Sequence, residues 1–221
     1  MPDEKNPVPV EENEFMKKMK AIASDFWGEK PAEVKEEPEK PKAAPKAPKA
    51  RKQQNELDTL WKVADETVDW TDALSHATPS DGLTSQLIWS FYHERAARVL
   101  SGDLDAYTEV LIKSNPLGEL TDYADSIQIK AVSPSRLESS FLCRPAHLKA
   151  APKRYLSAMG LRIARDLLAC LPVDEVAVTA KDESEVLMEA VYPRKQMLHR
   201  NFNFVDPVEL TEECGGKFHL K

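Results

Sequence analysis

Glycine is scarce in this chain, with seven residues among 221. None of them falls in a GxGxxG, Walker-type or GxSxG arrangement. Such motifs need glycine because the backbone must approach a phosphate closely or turn sharply beneath a nucleophile. The sequence therefore excludes a glycine-rich phosphate cradle and a nucleophile elbow.

Cysteine is also sparse, and long apolar runs are lacking. The three cysteines, Cys143, Cys170 and Cys214, form an odd set that does not suit a disulfide-stabilised secreted fold. No segment reaches the roughly 20 apolar residues that span a bilayer. The N-terminus lacks the basic stretch followed by an apolar run that marks a signal peptide. We therefore expect a soluble cytoplasmic protein without a membrane span.

The chain is acidic, with a formal net charge of −7. Residues 29–52, which read EKPAEVKEEPEKPKAAPKAPKARK, carry a net positive charge, and the rest of the chain is acidic. An acidic body repels the phosphates of nucleic acid, so nucleic-acid binding is not expected.

The same basic segment divides the chain. It has five prolines and no glycine or aromatic residue, and Val34 is its one sizeable apolar side chain. Burial of so little apolar surface does not offset the entropy of ordering, which predicts a solvated linker. Four parts follow. They are a docking helix at 1–28, a linker at 29–54, a globular domain at 55–207 and a C-terminal tail at 208–221.

An amphipathic helix is predicted ahead of the linker, over residues 11–27. Its apolar residues recur at helical spacing and form one stripe, with acidic residues in the first turn. The predicted helix has no core of its own, so we expect the stripe to dock in a groove of a partner protein. Docking on the chain's own body and binding at a membrane surface stay open as alternatives. The predicted anchors are Phe15, Met19, Ile22, Phe26 and Trp27.

The globular part begins with helical patterning and continues with strands. Leu57, Leu60, Trp61 and Ala64 have helical spacing, and Thr71 is a candidate N-cap for the next helix. Apolar residues later alternate with polar ones in two pairs of segments, each typical of a β-hairpin, with a long helix between the pairs. These patterns predict an α+β fold, in which a helical N-terminal part precedes a ββαββα-type body with a mainly antiparallel sheet. The predicted helices are 83–101, 104–114 and 152–171, the second capped by Asp103 and stopped by Asn115-Pro116. The predicted strands are 127–132, 137–143, 175–180 and 185–192.

Two of these helices also carry predictions about burial. In the first, the pattern assigns six residues to the inward face: Leu87, Ile88, Phe91, Tyr92, Val99 and Leu100. In the longest, Arg162 and Asp166 are assigned to the outer face or rim, where their i, i+4 spacing lets them pair.

The run GDLDAYTEVLIKSNPL, together with LRIARDLLACLPVDEVAV and the later FVDP, resembles a recurrent domain of uncharacterised bacterial proteins. The likeness covers roughly residues 65–207. It implies a shared fold and no activity, so it assigns no functional residues here.

Two sets of residues in the chain weakly indicate a metal site. Cys143 with His147, and Cys214 with His219, supply two thiolates and two imidazoles, which is a ligand set for a small zinc-binding module. Lys130 lies in a Gln-Ile-Lys strand segment that resembles the motif of metal-dependent nucleases, with acidic residues nearby.

Simpler interpretations compete with both patterns. For Lys130, the alternation of polar and apolar residues along the strand is enough to place it on the solvent-exposed face of the sheet. The leading hypothesis is a non-enzymatic interaction or accessory protein without a cofactor or metal. A metal-dependent hydrolase or nuclease around Lys130, or a zinc module, is the alternative.

Overall fold

The computed structural model describes residues 57–79, 84–197 and 200–220. Within these ranges the chain forms short and long helices around a five-stranded sheet. The strands are β1 Ala124–Ser133, β2 Arg136–Cys143, β3 Glu175–Lys181, β4 Val186–Pro193 and β5 Lys217–Phe218. The α-helices are α1 Trp70–Ser75, α2 Gln86–Leu100, α3 Leu104–Ser114, α4 Pro145–Ala150, α5 Pro152–Cys170, α6 Arg194–Met197 and α7 Pro207–Glu213. Turns of 3-10 helix lie at Leu60–Lys62, Gly118–Asp122 and Phe202–Phe204.

The predicted α+β class is confirmed. The strands follow one another across the sheet in chain order, from β1 to β5. Three neighbouring pairs are antiparallel, and β2 with β3 is parallel. A parallel pair needs a crossover, which α4 and α5 provide. The sheet thus consists of two hairpins joined by one parallel pairing, with the short strand β5 added beside β4.

Helix α5 lies at the centre of the body. Pro152 starts it at a position where a missing N–H costs nothing. Every residue from Tyr155 to Cys170 is buried, apart from Arg165. One side packs on the sheet, and α3, α7 and the turn at Leu60–Lys62 pack on other sides. The core is therefore built around a helix that is covered on several sides.

A glycine lets α5 approach the sheet closely. A Cβ added at Gly160 would stand 2.6 Å from the hydroxyl oxygen of Tyr192 and 2.9 Å from the terminal carbon of Met188. Both contacts are too short for real atoms, so any larger residue here would force Tyr192 and Met188 to shift.

Local signals placed several boundaries correctly. The Asp103 carboxylate caps α3 by accepting bonds from Asp105 N and Ala106 N. Asn115 ends that helix with a left-handed backbone at φ 45°, a conformation that asparagine tolerates better than most residues. Both predicted hairpins form at nearly the predicted residues.

The helix predicted from the spacing of Leu57 to Ala64 forms only in part. Leu57 is helical and Leu60–Lys62 form one 3-10 turn, but the chain turns extended at Val63 and does not continue as a helix. Tertiary bonds hold this segment, because Trp61 Nε1 donates to Val205 O at 3.0 Å and Val68 N donates to Ala169 O at 2.9 Å. Contacts with distant residues thus override the local helical spacing.

The predictions for the first helices also need correction. Asp69, rather than Thr71, caps α1, accepting bonds from Thr71 N and Asp72 N. In α2, three of the side chains predicted to face inward are exposed, by 80% at Leu87, 47% at Ile88 and 43% at Leu100. The other three are buried or partly buried, as predicted: Phe91, Tyr92 and Val99. The apolar residues extend around more of α2 than its neighbours cover, and the buried ones are Trp89, Ala96 and Val99.

The residues after 207, predicted as a tail, contain two elements that belong to the body. Asp206 caps α7 by accepting bonds from Val208 N and Glu209 N. Leu210 and Thr211 are buried, and α7 packs on α5. The short strand β5 then extends the sheet beyond β4.

Candidate interaction surface on the open face of the sheet

The two faces of the sheet differ in what covers them. Side chains alternate between the faces along each strand. One face packs into the core through residues such as Leu137, Phe141, Val176, Met188 and Tyr192. The opposite side chains line a broad, shallow groove of about 610 Å³, which we call the open face.

A polar row crosses all five strands of the open face. Gln128 stands opposite Ser140, Ser140 opposite Thr179, Thr179 opposite Glu189, and Glu189 opposite Lys217. Within the described residues, the side chains of Gln128, Ser140 and Thr179 make no hydrogen bond. The middle of the groove therefore has hydrogen-bonding groups that remain available.

A second row runs beside the first and is less polar at its centre. Lys130 stands opposite Glu138, which is followed across the sheet by Ala177 and Val191. The small side chain of Ala177 adds depth to the groove. Cys214 and Gly215, which follow α7, line the groove beside β4 and β5.

The carboxylates of this face already have basic side chains beside them. Glu138 lies 3.4 Å from Arg136 Nε, and Glu175 accepts a bond from Arg136 Nη1 at 2.7 Å. Glu189 lies 3.6 Å from His219 Nε2.

The lysines of the open face lack carboxylate partners. Across the part of the chain that the structure describes, Lys130, Lys181 and Lys217 have no carboxylate oxygen within 4 Å. The unbalanced charge of the open face is consequently positive, in a chain of net charge −7.

The region of Lys130 does not have the geometry of a metal-dependent nuclease. Its cross-strand neighbour is Glu138, and that carboxylate is engaged by Arg136. Among residues 57–79, 84–197 and 200–220, no three His, Cys, Asp or Glu side chains converge as metal ligands.

The predicted zinc ligands have separate surroundings. Cys143 is buried at the end of β2, and burial raises the pKa of its thiol to about 12. The ring of His147 lies 5.4 Å from that of Tyr155. Cys214 donates its S–H to Gln196 Oε1 at 3.0 Å, and His219 faces Glu189. Among the described residues, these four side chains do not come together as one ligand cluster.

Arg162 and Asp166 pair as predicted, but they are buried rather than on the outer face. Arg162 Nε donates to Asp166 Oδ2 at 2.5 Å, and neither side chain is more than 5% exposed. Asp65 N donates to Asp166 Oδ1 at 3.0 Å, and Arg162 Nη2 reaches Glu119 Oε2 at 3.3 Å. The pair thereby connects α5 to the extended segment before α1 and to the turn at Gly118–Asp122.

Burial dominates the electrostatics of this network. It raises the pKa of Asp166 to about 6, against the opposing effect of Arg162. It also raises the pKa of Asp65. Perturbed carboxyl groups often mark functional sites, but structural ion pairs perturb them equally. This pair joins three segments of the core, which is a structural role.

Cys170 is a core residue near the C-terminal end of α5. Its Sγ lies 3.4 Å from Ser114 Oγ, and burial raises the pKa of the thiol to about 11. A thiol with a raised pKa is a poor nucleophile at neutral pH.

The predicted anchors of the N-terminal stripe lie outside the described residues. Their docking therefore remains a prediction. The anchors concerned are Phe15, Met19, Ile22, Phe26 and Trp27.

Sequence reasoning missed most of the open face. It placed Lys130 there by alternation, but it did not identify Lys181, Lys217, Ser140 or Thr179 as its neighbours. Alternation along β3 could have placed Thr179 and Lys181 on one side. Their alignment with β1 and β2 depends on the parallel pairing, for which the sequence holds no local signal.

None of the described helices is long and apolar enough to cross a membrane. Comparison of the chain with protein-family models, with curated proteins and with solved structures finds no match to any of them.

Proposed function

We propose that this chain is a non-enzymatic interaction or accessory protein that captures a partner protein through its N-terminal apolar stripe. The observation that supports the proposal best is the chemistry of the open face. That face is polar and charged, while an anchor set of aromatic and aliphatic side chains needs an apolar groove. The open face is therefore a poor match for Phe26, Trp27 and the residues before them.

The packing of the body also favours a partner protein as the site where the N-terminal stripe docks. The buried apolar side chains between Leu60 and Leu210 form one cluster made of described residues. The large apolar side chains that remain exposed are distributed over several elements rather than along one groove. They are Val63, Leu74, Leu87, Ile88, Leu100, Ile112, Val132 and Phe204.

The experiment compares three forms of the full chain as baits in the native lysate. The first is unchanged, the second carries Phe26→Ala with Trp27→Ala, and the third carries Lys17→Ala with Lys18→Ala on the opposite side of the predicted helix. A captured protein is then purified, and its affinity for each form is measured by calorimetry.

The expected result is a loss of affinity of at least tenfold for the Phe26→Ala, Trp27→Ala form, since anchors of this type each contribute about 2 kcal/mol or more. The lysine variant should bind within about threefold of the unchanged chain. Equal binding by all three forms would refute the proposal. A lower melting temperature of the Phe26→Ala, Trp27→Ala form alone would show that the stripe packs on its own body, which also contradicts the proposal.

A further inference from the structure

We propose that the open face is a second binding surface, which takes an extended acidic segment of a partner protein. The proposal does not rest on the N-terminal stripe. It rests on three features of the described residues: the unpaired lysines, the available polar row and the absence of aromatic side chains from the groove lining.

The charges of the open face indicate that its ligand is acidic. Glu138 and Glu175 both pair with Arg136, and Glu189 lies 3.6 Å from the imidazole of His219, whereas Lys130, Lys181 and Lys217 have no carboxylate partner among the described residues. A ligand that supplies carboxylates can form ion pairs with these lysines without displacing an existing contact. A basic ligand would have to compete with Arg136 and His219 for the carboxylates.

The strand register gives the spacing of the ligand's charges. Lys130, Lys181 and Lys217 stand on β1, β3 and β5, in three successive rows of the open face. With strands about 4.8 Å apart and same-face residues about 6.7 Å apart, neighbouring lysines of this triangle are roughly 12–20 Å from each other. An extended chain covers that distance in about four to six residues. The matching segment has acidic residues at such intervals.

The polar row supplies the contacts between these charges. The side chains of Gln128, Ser140 and Thr179 lie in one line across β1, β2 and β3. Amide and hydroxyl groups both donate and accept hydrogen bonds, as does the backbone of a peptide. An extended peptide can therefore bond to the row while its carboxylates reach the lysines.

Nucleic acid fits the same surface less well. No Phe, Tyr, Trp or His lines the groove among the described residues, so bases have no ring on which to stack. Glu138 stands directly opposite Lys130, and Glu189 directly opposite Lys217. A continuous phosphate backbone would pass beside both carboxylates, while a peptide can place its charges between them.

The test measures binding of labelled probes to the full chain by fluorescence anisotropy. One probe is a 14-residue Ser/Thr peptide with glutamate at every fifth position. The matched probe has glutamine at those positions, and a third probe is a 14-nucleotide single-stranded DNA. The binding variant is Lys130→Gln, Lys181→Gln, Lys217→Gln. The control variant is Lys113→Gln, Lys149→Gln, Lys195→Gln, which changes exposed lysines on α3, α4 and α6.

The glutamate peptide should bind the unchanged chain and the control variant. Its affinity should fall at least tenfold in the open-face variant, and also between 50 and 300 mM salt, because the contacts are charged. Phe26→Ala with Trp27→Ala should leave this binding unchanged, which separates the proposal from the docking of the N-terminal stripe. Thermal melting and circular dichroism confirm folding, and single lysine variants replace the triple variant if it fails to fold.

Three outcomes would overturn the proposal. The first is equal binding of the glutamate and glutamine peptides, and the second is DNA binding that depends on the same lysines. The third is self-association of the chain, seen in sedimentation, that disappears in the open-face variant, because it identifies a second copy as the occupant.

Discussion

The buried pair of Arg162 and Asp166 is the main polar feature of the core at the scale of single residues. Removal of one member leaves the other as an unpaired buried charge, which destabilises the fold by about 3–5 kcal/mol. Asp166→Leu should therefore lower the free energy of unfolding by about 3–5 kcal/mol, as measured by urea denaturation. Adding Arg162→Met to it should restore much of the loss, because the double variant has no charge to desolvate. Equal losses in the single and double variants would mean that the pair is not the cause.

The same carboxyl group makes stability depend on pH. Burial raises the pKa of Asp166 from its usual 3.8 to about 6. The native state thus binds more protons than the unfolded state between about pH 4 and 6, so this group's contribution to the free energy of unfolding falls as pH rises through that window. Above it the contribution is constant. Asp65, whose pKa is also raised, acts in the same direction.

Asp166→Asn tests this dependence, since asparagine does not titrate. Relative to Asp166→Asn, the unchanged chain should lose free energy of unfolding between pH 4.5 and pH 7. Urea denaturation at pH 4.5, 5.5 and 7 measures it. A difference that is constant over these pH values would refute the assignment of the slope to Asp166.

At the scale of secondary-structure elements, the close approach of α5 to the sheet at Gly160 can be tested by substitution. Alanine is favoured over glycine in a helix by about 1 kcal/mol. The added Cβ would nevertheless collide with Tyr192, whose hydroxyl is held 3.1 Å from Thr211 Oγ1. Overpacking of this kind costs about 1–3 kcal/mol, so Gly160→Ala should be net destabilising. Thermal and urea denaturation measure the change.

A double-mutant cycle identifies the cause. Tyr192→Phe removes the hydroxyl that stands 2.6 Å from the added Cβ. In that background Gly160→Ala should cost less than in the unchanged chain. An equal cost in both backgrounds would place the collision elsewhere.

The elements themselves show what the sequence could and could not predict. Capping and stop signals, such as Asp103 and Asn115, act within a few residues, so they located α3 well. The segment around Trp61 was mispredicted because its conformation depends on Val205 and Ala169, which are distant in the chain. Burial of Asp166 was missed for a similar reason, since the layers that cover α5 come from separate parts of the sequence. The open face was only partly predicted, because strand order aligns its residues.

At the scale of the whole molecule, the proposed capture of a partner requires that the first 53 residues do not stabilise the body. The core of the described residues runs from Leu60 to Leu210. Deletion of residues 1–53 should therefore leave the melting temperature within about 2 °C, a shift that corresponds to less than about 1 kcal/mol for a domain of this size. Differential scanning calorimetry of both forms measures it. A larger decrease would mean that the N-terminal part stabilises the body, which would contradict the proposed capture of a partner.

The single parallel pairing of β2 with β3 also has a kinetic consequence. The two hairpins contain local contacts and can form early, but β2 and β3 meet only after residues 144–174 have brought α5 across the sheet. We expect this pairing to form after the folding transition state. Leu137→Ala and Val176→Ala, at one cross-strand position of the pairing, should then accelerate unfolding and leave the refolding rate nearly unchanged in stopped-flow experiments. The residence time of the native state would thus be set at the junction between the hairpins.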